Sequence, residues 1–357
     1  MSALLFKGLF LAAQPEPYPG QPEAGPGGAD YTHRSLVFFD HADKADGYWL
    51  FEPTEPKPES APVIVFLHGY GAYNPFAYGK WIKHLVAKGN IVIYPRYQKN
   101  LLIPRPNSFP KNAAKGIRDA LKSLEAPGRV KPNTDKVVYI GHSYGGVIAS
   151  NLGVHFEEHA IPKPAGMLLC EPGSGPLKGA RLDDYSGLPE DLALLVVVGE
   201  DDYVVGSEFG KLVFQTARNT PMRNLLVQRR DTSEHKWVLA THSEPYGYDM
   251  DFDTGVRNYT AKRVLSSTSA STGVVYCFTG NSVMPPLLLC PRRTGPGFCL
   301  WQYRPSTLWE PGPMANHCAN GCFPSRVLGK MQEQANERRR CHHRESSFSK
   351  PDLVGSF

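Results

Sequence analysis

Cysteine is nearly missing from residues 1–265, where Cys170 stands alone; the other six, Cys277, Cys290, Cys299, Cys318, Cys322 and Cys341, all follow. A disulfide framework therefore does not hold the larger part of the chain together. Net charge of one sign is missing from the same stretch. Residues 1–265 carry 29 Lys+Arg against 29 Asp+Glu, and residues 266–357 carry 10 against 5, so the overall +5 comes from the tail. The larger part has no basic field for nucleic acid, and none is expected as a partner. No run approaches the ~18 apolar residues of a membrane-spanning helix, so no integral membrane segment is expected.

What is present is a soluble, globular composition. A chain of 357 residues, 41% of them hydrophobic, has material for one large core or two modest ones. Residues 1–30 read as a leader and linker. MSALLFKGLFLAA resembles the end of a secretory signal that Lys7 interrupts, with no basic region ahead of it, as if the start were placed too far downstream. Export to a secreted or periplasmic location is the expectation this supports, with a cytoplasmic location otherwise. A Pro/Gly/Glu-rich stretch follows, with little to bury.

From residue 31 the pattern is regular. Residues 35–39 and 48–51 predict an antiparallel hairpin at a sheet edge, and Val63 to Leu67 a central strand. Helical spacing over 78–88, 111–124 and 207–217 then alternates with apolar runs at 91–94, 137–140, 167–170, 192–198 and 225–227. Such βα repetition predicts an α/β fold, a doubly wound, mostly parallel sheet of about eight strands over residues 31–265. Only some 20 residues separate the strand at 167–170 from the strand at 192–198, too few for a cap domain, so an open site is expected.

The stretch KVVYIGHSYGGVI places Ser143 at the apex of a strand–turn–helix, with Gly141 and Gly145 two residues to either side. A nucleophile elbow needs those glycines because the turn is strained and two backbones pass close together. A phosphate loop would instead want G-x-G-x-x-G or a lysine after the glycines. A serine hydroxyl is a weak nucleophile until a base takes its proton and an acid orients the base. The strand at 192–198 runs into Gly199-Glu200-Asp201-Asp202, and Asp202 is the preferred acid because Val204 and Val205 anchor the loop behind it. Asp201 is the alternative, expected to serve the turn. For the base, His242 has the apolar lead-in Val238-Leu239-Ala240, whereas His235 has polar neighbours and is the alternative. Oxyanion donors are expected at the backbone N–H groups of Tyr144, which opens the helix, and Tyr70, in His68-Gly69-Tyr70-Gly71 after the central strand. His68 is read as structural support beneath that loop, His142 as packing, and the Tyr70 and Tyr144 side chains as walls of an acyl pocket.

HGYG after a strand, GHSYGG at an elbow, GEDDYVV after a strand and a late THSEP together resemble the α/β-hydrolase superfamily. Residues 31–248 are similar to its lidless esterase branches, the dienelactone-hydrolase-like and polyester-hydrolase-like enzymes. The order Ser143, Asp202, His242 is the one this resemblance implies. It also implies a helix after the histidine, for which residues 259–265 are the candidate. Relatives with dehalogenase or epoxide hydrolase chemistry carry Asp at the elbow, unlike this chain. The expected activity is cleavage of small or polymeric carboxylic esters through a Ser-His-Asp triad, with no cofactor and no metal. A thioesterase or peptidase on the same machinery, or a non-catalytic binding protein on the same scaffold, are the other readings. Residues 266–357, rich in Cys, Arg and Pro, lose the periodicity and read as an irregular tail without a core. Cys318, Cys322, Cys341 and His342 lack the paired spacing of a zinc site.

Overall fold

Residues 21, 23–25, 27–101, 104–230, 239–255 and 302–303 are described in the structure, a computed structural model; all lie in the first of the chain's two units, Met1–Ser306. The leader, His235, the helix expected at 259–265 and the six later cysteines lie outside the described residues. In chain order the elements are β1 (Ser35–His41), β2 (Tyr48–Thr54), β3 (Ser60–Leu67), α1 (Gly79–Ala87), β4 (Ile91–Pro95), α2 (Phe109–Ser123), β5 (Lys131–His142), α3 (Tyr144–Val154), β6 (Gly166–Cys170), β7 (Ala193–Gly199), α4 (Glu208–Thr216), β8 (Arg223–Gln228) and β9 (Gln302–Tyr303).

One sheet runs in the order β1-β2-β4-β3-β5-β6-β7-β8-β9. The β1–β2 and β2–β4 pairs are antiparallel, and every other pair is parallel. The first eight strands match the number expected; the two residues of β9, beyond the expected catalytic region, add a ninth beside β8.

Uninterrupted apolar runs suit strands covered on both faces. In β3, Val63, Val65 and Leu67 enter one layer and Ile64 and Phe66 the other, all five at most 1% exposed. β5, β6 and β7 repeat the alternation with Val137/Val138, Leu169/Leu168 and Val196/Val197. Helices α2, α3 and α4 fill the first layer through Ala113, Ile117, Val147, Leu152, Phe209 and Val213. Helix α1 fills the second through Trp81, Ile82, Leu85 and Val86. No described helix is long and apolar enough to cross a membrane. Residues 171–192, which join β6 to β7, contain turns but no helix or strand, so no cap domain is inserted between these two strands.

Two boundaries differ from expectation for local reasons. β5 begins six residues before its apolar run, because Lys131, Pro132 and Asn133 pair with Ser60, Ala61 and Pro62 ahead of an irregularity at Pro62/Val63. Those residues are partly exposed and polar, so hydrophobicity gives no sign of them. α2 starts at Phe109 with Pro110 in its first turn, where a missing N–H costs no helical bond.

Glu52, 1% exposed on β2, accepts from Arg129 Nε at 2.6 Å and from the Val130 N–H at 2.8 Å. The Arg129 guanidinium also lies 3.7 Å from the centroid of the Phe39 ring. This pair fastens the edge hairpin to the approach of β5. Removing one member of a buried pair typically costs about 3–5 kcal/mol. Arg129→Met is therefore expected to lower the unfolding free energy measured by urea titration by an amount in that range, and a loss below about 1 kcal/mol would mean that the pair carries no such burden.

Candidate functional site

The turn at Ser143 is built by exclusion of side chains. A Cβ on Gly141 would lie 2.5 Å from Gly145 O, one on Gly145 would lie 2.0 Å from Leu67 O, and one on Gly146 would lie 2.6 Å from Pro172 Cβ. Only glycine admits these approaches. Ser143 itself has φ 57° and ψ −124°, a conformation that non-glycine residues adopt rarely and at a cost of about 1–3 kcal/mol. Its backbone is held on both sides: Ser143 N–H donates to Cys170 O at 3.0 Å, and Gly173 N–H donates to Ser143 O at 3.1 Å.

The acid and the histidine reach this turn from separate segments. Where β7 ends, Gly199 passes so near the 239–242 segment that a Cβ would lie 2.2 Å from Ala240 O, and the Asp201 N–H donates to that same oxygen. His242 Nδ1 then lies 2.9 Å from Asp202 Oδ2, and His242 Nε2 lies 2.9 Å from Ser143 Oγ. An ionised carboxylate only accepts, so Nδ1 carries the proton and Nε2 faces the serine O–H with its lone pair. Burial, the largest single influence on Asp202, pushes its carboxyl up. The hydrogen bond and charge of His242 and the amides of Val205 and Val204 outweigh it, leaving Asp202 below the ordinary carboxylate range.

Asp201, expected to serve the turn, does not. Its carboxylate pairs with Arg230 through Nε at 2.9 Å and Nη2 at 2.5 Å, and that guanidinium lowers its pKa. The turn amides Val204 N–H and Val205 N–H go to Asp202 Oδ1 instead, at 2.9 and 3.1 Å. One carboxylate thus both caps its own loop and faces the histidine, because its two oxygens point in different directions.

His68 is supporting structure, as expected. Its Nδ1 lies 2.7 Å from Gly69 O and its Nε2 3.0 Å from Arg96 O, and the ring stacks on Tyr97. Burial lowers its pKa to about 4. His142 does more than pack: Nδ1 lies 2.6 Å from Tyr78 Oη and Nε2 3.0 Å from the backbone oxygen of His242.

In the loop after β3, Gly69 N–H donates to Tyr78 Oη and Gly71 N–H to Gln98 Oε1. Between them Tyr70 N–H has no acceptor among the described residues, and neither has Tyr144 N–H at the start of α3. The loop is close to the serine, since a Cβ on Gly69 would lie 3.3 Å from Ser143 Cβ. The Tyr70 and Tyr144 rings stand 6.3 Å apart, their hydroxyls donating to Leu101 O and Gly179 O. Among the described residues no group of three or more His, Cys, Asp or Glu could hold a metal ion.

Glu171 is the residue that sequence reasoning passed over. It follows β6 with φ 40°, donates its N–H to Val197 O, and sits between the strand ends that carry Ser143 and Asp202. Its side chain is fully buried, and neither carboxyl oxygen has a hydrogen-bond partner among the described residues. Burial first, then the nearby charges of Asp202 and Glu244, raise its pKa well above 4.5. A glutamate directly after an apolar strand, on the edge where the chemistry collects, was the available signal. Because the folded state holds this proton above pH 4.5 and the unfolded chain does not, Glu171 favours folding least at high pH. Its contribution is lost as pH rises from the unfolded pKa through the folded one. Glu171→Gln is expected to gain melting temperature relative to wild type as pH rises from 5 to 8, by about 2–4 °C for each kcal/mol recovered. Parallel melting curves for the two proteins would refute the assignment of a protonated Glu171.

The family model described as Chlorophyllase matches residues 47–190, a span that includes Tyr70, Ser143 and Glu171 and ends before Asp202. No curated protein sequence matches the chain. Among solved structures, one described as a structural analysis of two fungal esterases from Rhizomucor miehei is similar at a TM-score of 0.44 and 15% identity, covering 69% of this chain and 86% of the other. The elbow and the mostly parallel sheet that carries it have the arrangement of the α/β-hydrolase fold, and the family match spans five of its strands, β2 to β6.

Proposed function

We propose that this protein hydrolyses carboxylic esters, with Ser143 as nucleophile, His242 as general base and acid, and Asp202 as the orienting carboxylate. The single observation that carries the reading is the pair of linked 2.9 Å contacts, Ser143 Oγ to His242 Nε2 and His242 Nδ1 to Asp202 Oδ2. The esterase character of the matched family supports the choice of an ester over other acyl compounds. Every residue used falls between Tyr70 and His242, consistent with residues 31–265 as the catalytic unit and 266–357 as a tail.

In this mechanism Ser143 Oγ attacks the ester carbonyl carbon as His242 Nε2 takes its proton. The imidazolium so formed is stabilised by Asp202, which remains ionised. Negative charge on the former carbonyl oxygen is met by the Tyr70 and Tyr144 N–H groups, neither of which has an acceptor among the described residues to give up. Collapse of the tetrahedral species expels the alcohol, which takes the proton from His242. Water then attacks the acyl-enzyme with His242 again as base, releasing the acid and restoring Ser143. The tied Tyr70 and Tyr144 rings are fixed walls beside the acyl group.

Fluorophosphonate labelling and a panel of p-nitrophenyl esters of increasing acyl length, with a thioester, a peptide and chlorophyll alongside, test the reading. Wild type is expected to be labelled and to prefer oxygen esters, and Ser143→Ala to lose labelling and about 10⁴-fold or more in kcat. Asp202→Asn should lose on the order of 10⁴-fold through the wrong tautomer of His242. Asp201→Asn, which weakens the Arg230 pair and leaves the Asp202–His242 contact in place, should lose less than about tenfold. A folded wild type that is never labelled would favour the non-catalytic binding reading instead.

A further inference from the structure

Tyr78 and His142 are both at most 1% exposed, and neither touches the reacting atoms in the mechanism above. Together they connect two parts of the site that have no covalent reason to stay in register: the loop after β3 and the segment that carries His242. Gly69 N–H lies 3.0 Å from Tyr78 Oη, Tyr78 Oη lies 2.6 Å from His142 Nδ1, and His142 Nε2 lies 3.0 Å from His242 O.

The direction of every bond follows from the two ends. The His242 carbonyl can only accept, so His142 Nε2 carries the hydrogen. A neutral imidazole has one N–H, which leaves Nδ1 as an acceptor, so Tyr78 donates to it. The Tyr78 oxygen then accepts from the Gly69 N–H, which can only donate. Burial, followed by the charge of His242, holds the His142 pKa well below its usual value, and burial raises that of Tyr78, so both groups stay neutral. Tyr246 closes the assembly, its ring centroid 5.3 Å from that of Tyr78 and 5.0 Å from that of His142.

We propose that Tyr78 and His142 are positioning residues of the catalytic apparatus: a buried strut of single proton order that locks the backbone of His242 to the oxyanion loop at Gly69. The strut rests on the ester-hydrolase reading above. Tyr78 reaches the site from the short helix Pro75–Tyr78 and His142 from the end of β5, so four chain segments meet in it. A displaced His242 backbone would carry its ring off the line between Ser143 and Asp202. A displaced Gly69 would move the Tyr70 N–H beside it. Both faults damage the transition state more than they damage ester binding.

The test compares full-length wild type, Tyr78→Phe, His142→Leu, His142→Gln, the Tyr78→Phe/His142→Leu double variant and Ser143→Ala. The readouts are p-nitrophenyl acetate hydrolysis and the rate of fluorophosphonate labelling, each normalised to folded protein by circular dichroism and melting temperature. Tyr78→Phe and His142→Leu are expected to lose about 10–100-fold in kcat, as a misplacement near 1 Å can cause, with KM changed by less than about threefold. His142→Gln, whose amide keeps a donor and an acceptor, should recover kcat to within about fivefold of wild type. The double variant should fall no further than the worse single one, since breaking one strut twice adds nothing. Folded Tyr78→Phe with wild-type kcat, additive losses in the double variant, or no recovery in His142→Gln would each overturn the proposal. If His142→Leu fails to fold, Tyr78→Phe and His142→Gln still decide it. Retained activity in Ser143→Ala would remove the ester-hydrolase reading itself, whereas its loss beside an unaffected Tyr78→Phe would remove the strut alone.

Discussion

The site depends on how closely the first turn of α3 approaches the end of β3. A Cβ on Gly145 would lie 2.0 Å from Leu67 O and 2.5 Å from His68 O, closer than atoms without a bond between them can stand. That contact fixes Ser143 and the loop after β3 with respect to each other before any side chain is considered. It also explains how the strained φ of Ser143 persists. The residue lies between a twelve-residue strand paired along much of its length and a helix pressed onto a neighbouring strand, and its N–H and C=O are held by Cys170 and Gly173. Relaxation of that one dihedral would have to move all of these, so the surrounding packing over-determines it.

Three carboxyl groups, Glu171, Asp201 and Asp202, crowd the ends of β6 and β7, and each meets the cost of burial differently. Asp201 turns to the half-exposed Arg230. Asp202, whose side chain is 1% exposed, takes two amides on one oxygen and His242 on the other. Glu171 has neither a cation nor a donor among the described residues, and burial raises its pKa well above the ordinary value. Like charges in a shared low-dielectric site do not ionise together readily, so a neutral Glu171 leaves Asp202 as the carboxylate charge that His242 faces. The placement follows from the topology, because β6 lies between the strand that leads to the serine and the strand that leads to the acid.

Much of this was legible in the chain itself, where the signal was local. The elbow needed a strand, glycines at fixed spacing and a helix, all within thirteen residues, and the two-sided apolar runs gave the parallel sheet. Asp202 was separable from Asp201 because Val204 and Val205 follow it, and the same amides that anchor the loop turned out to bind its carboxylate. What could not be read was decided by partners distant in sequence. Arg230 is 29 residues from the aspartate it takes, Tyr78 is 64 residues from His142, and His142 is 100 residues from the carbonyl it serves. The start of β5 escaped for the opposite reason: its pairing with Ser60–Pro62 is a backbone interaction that leaves no mark on the side chains. Glu171 was hidden because a glutamate beside a proline and a glycine reads as an exposed turn, whereas the residue, at φ 40°, is fully buried.

Two hydrogen-bonded series converge on His242, one on its ring and one on its backbone. The first fixes the tautomer, from Asp202 through Nδ1; the second, from Gly69 through Tyr78 and His142, ends on the main-chain oxygen. Why the last donor should be a neutral imidazole follows from its distance. The rings of His142 and His242 are 4.9 Å apart. A lysine or arginine could supply the same N–H, but a full positive charge at that separation would oppose an imidazolium on His242 by about 3 kcal/mol at an effective dielectric near 20. Felt entirely in the transition state, a penalty of that size slows the reaction by about two orders of magnitude. Burial that keeps His142 uncharged is therefore part of the chemistry in the proposed mechanism: it provides the donor without the charge, where a solvated histidine in the same position would gain a proton as the pH fell and work against the base it supports.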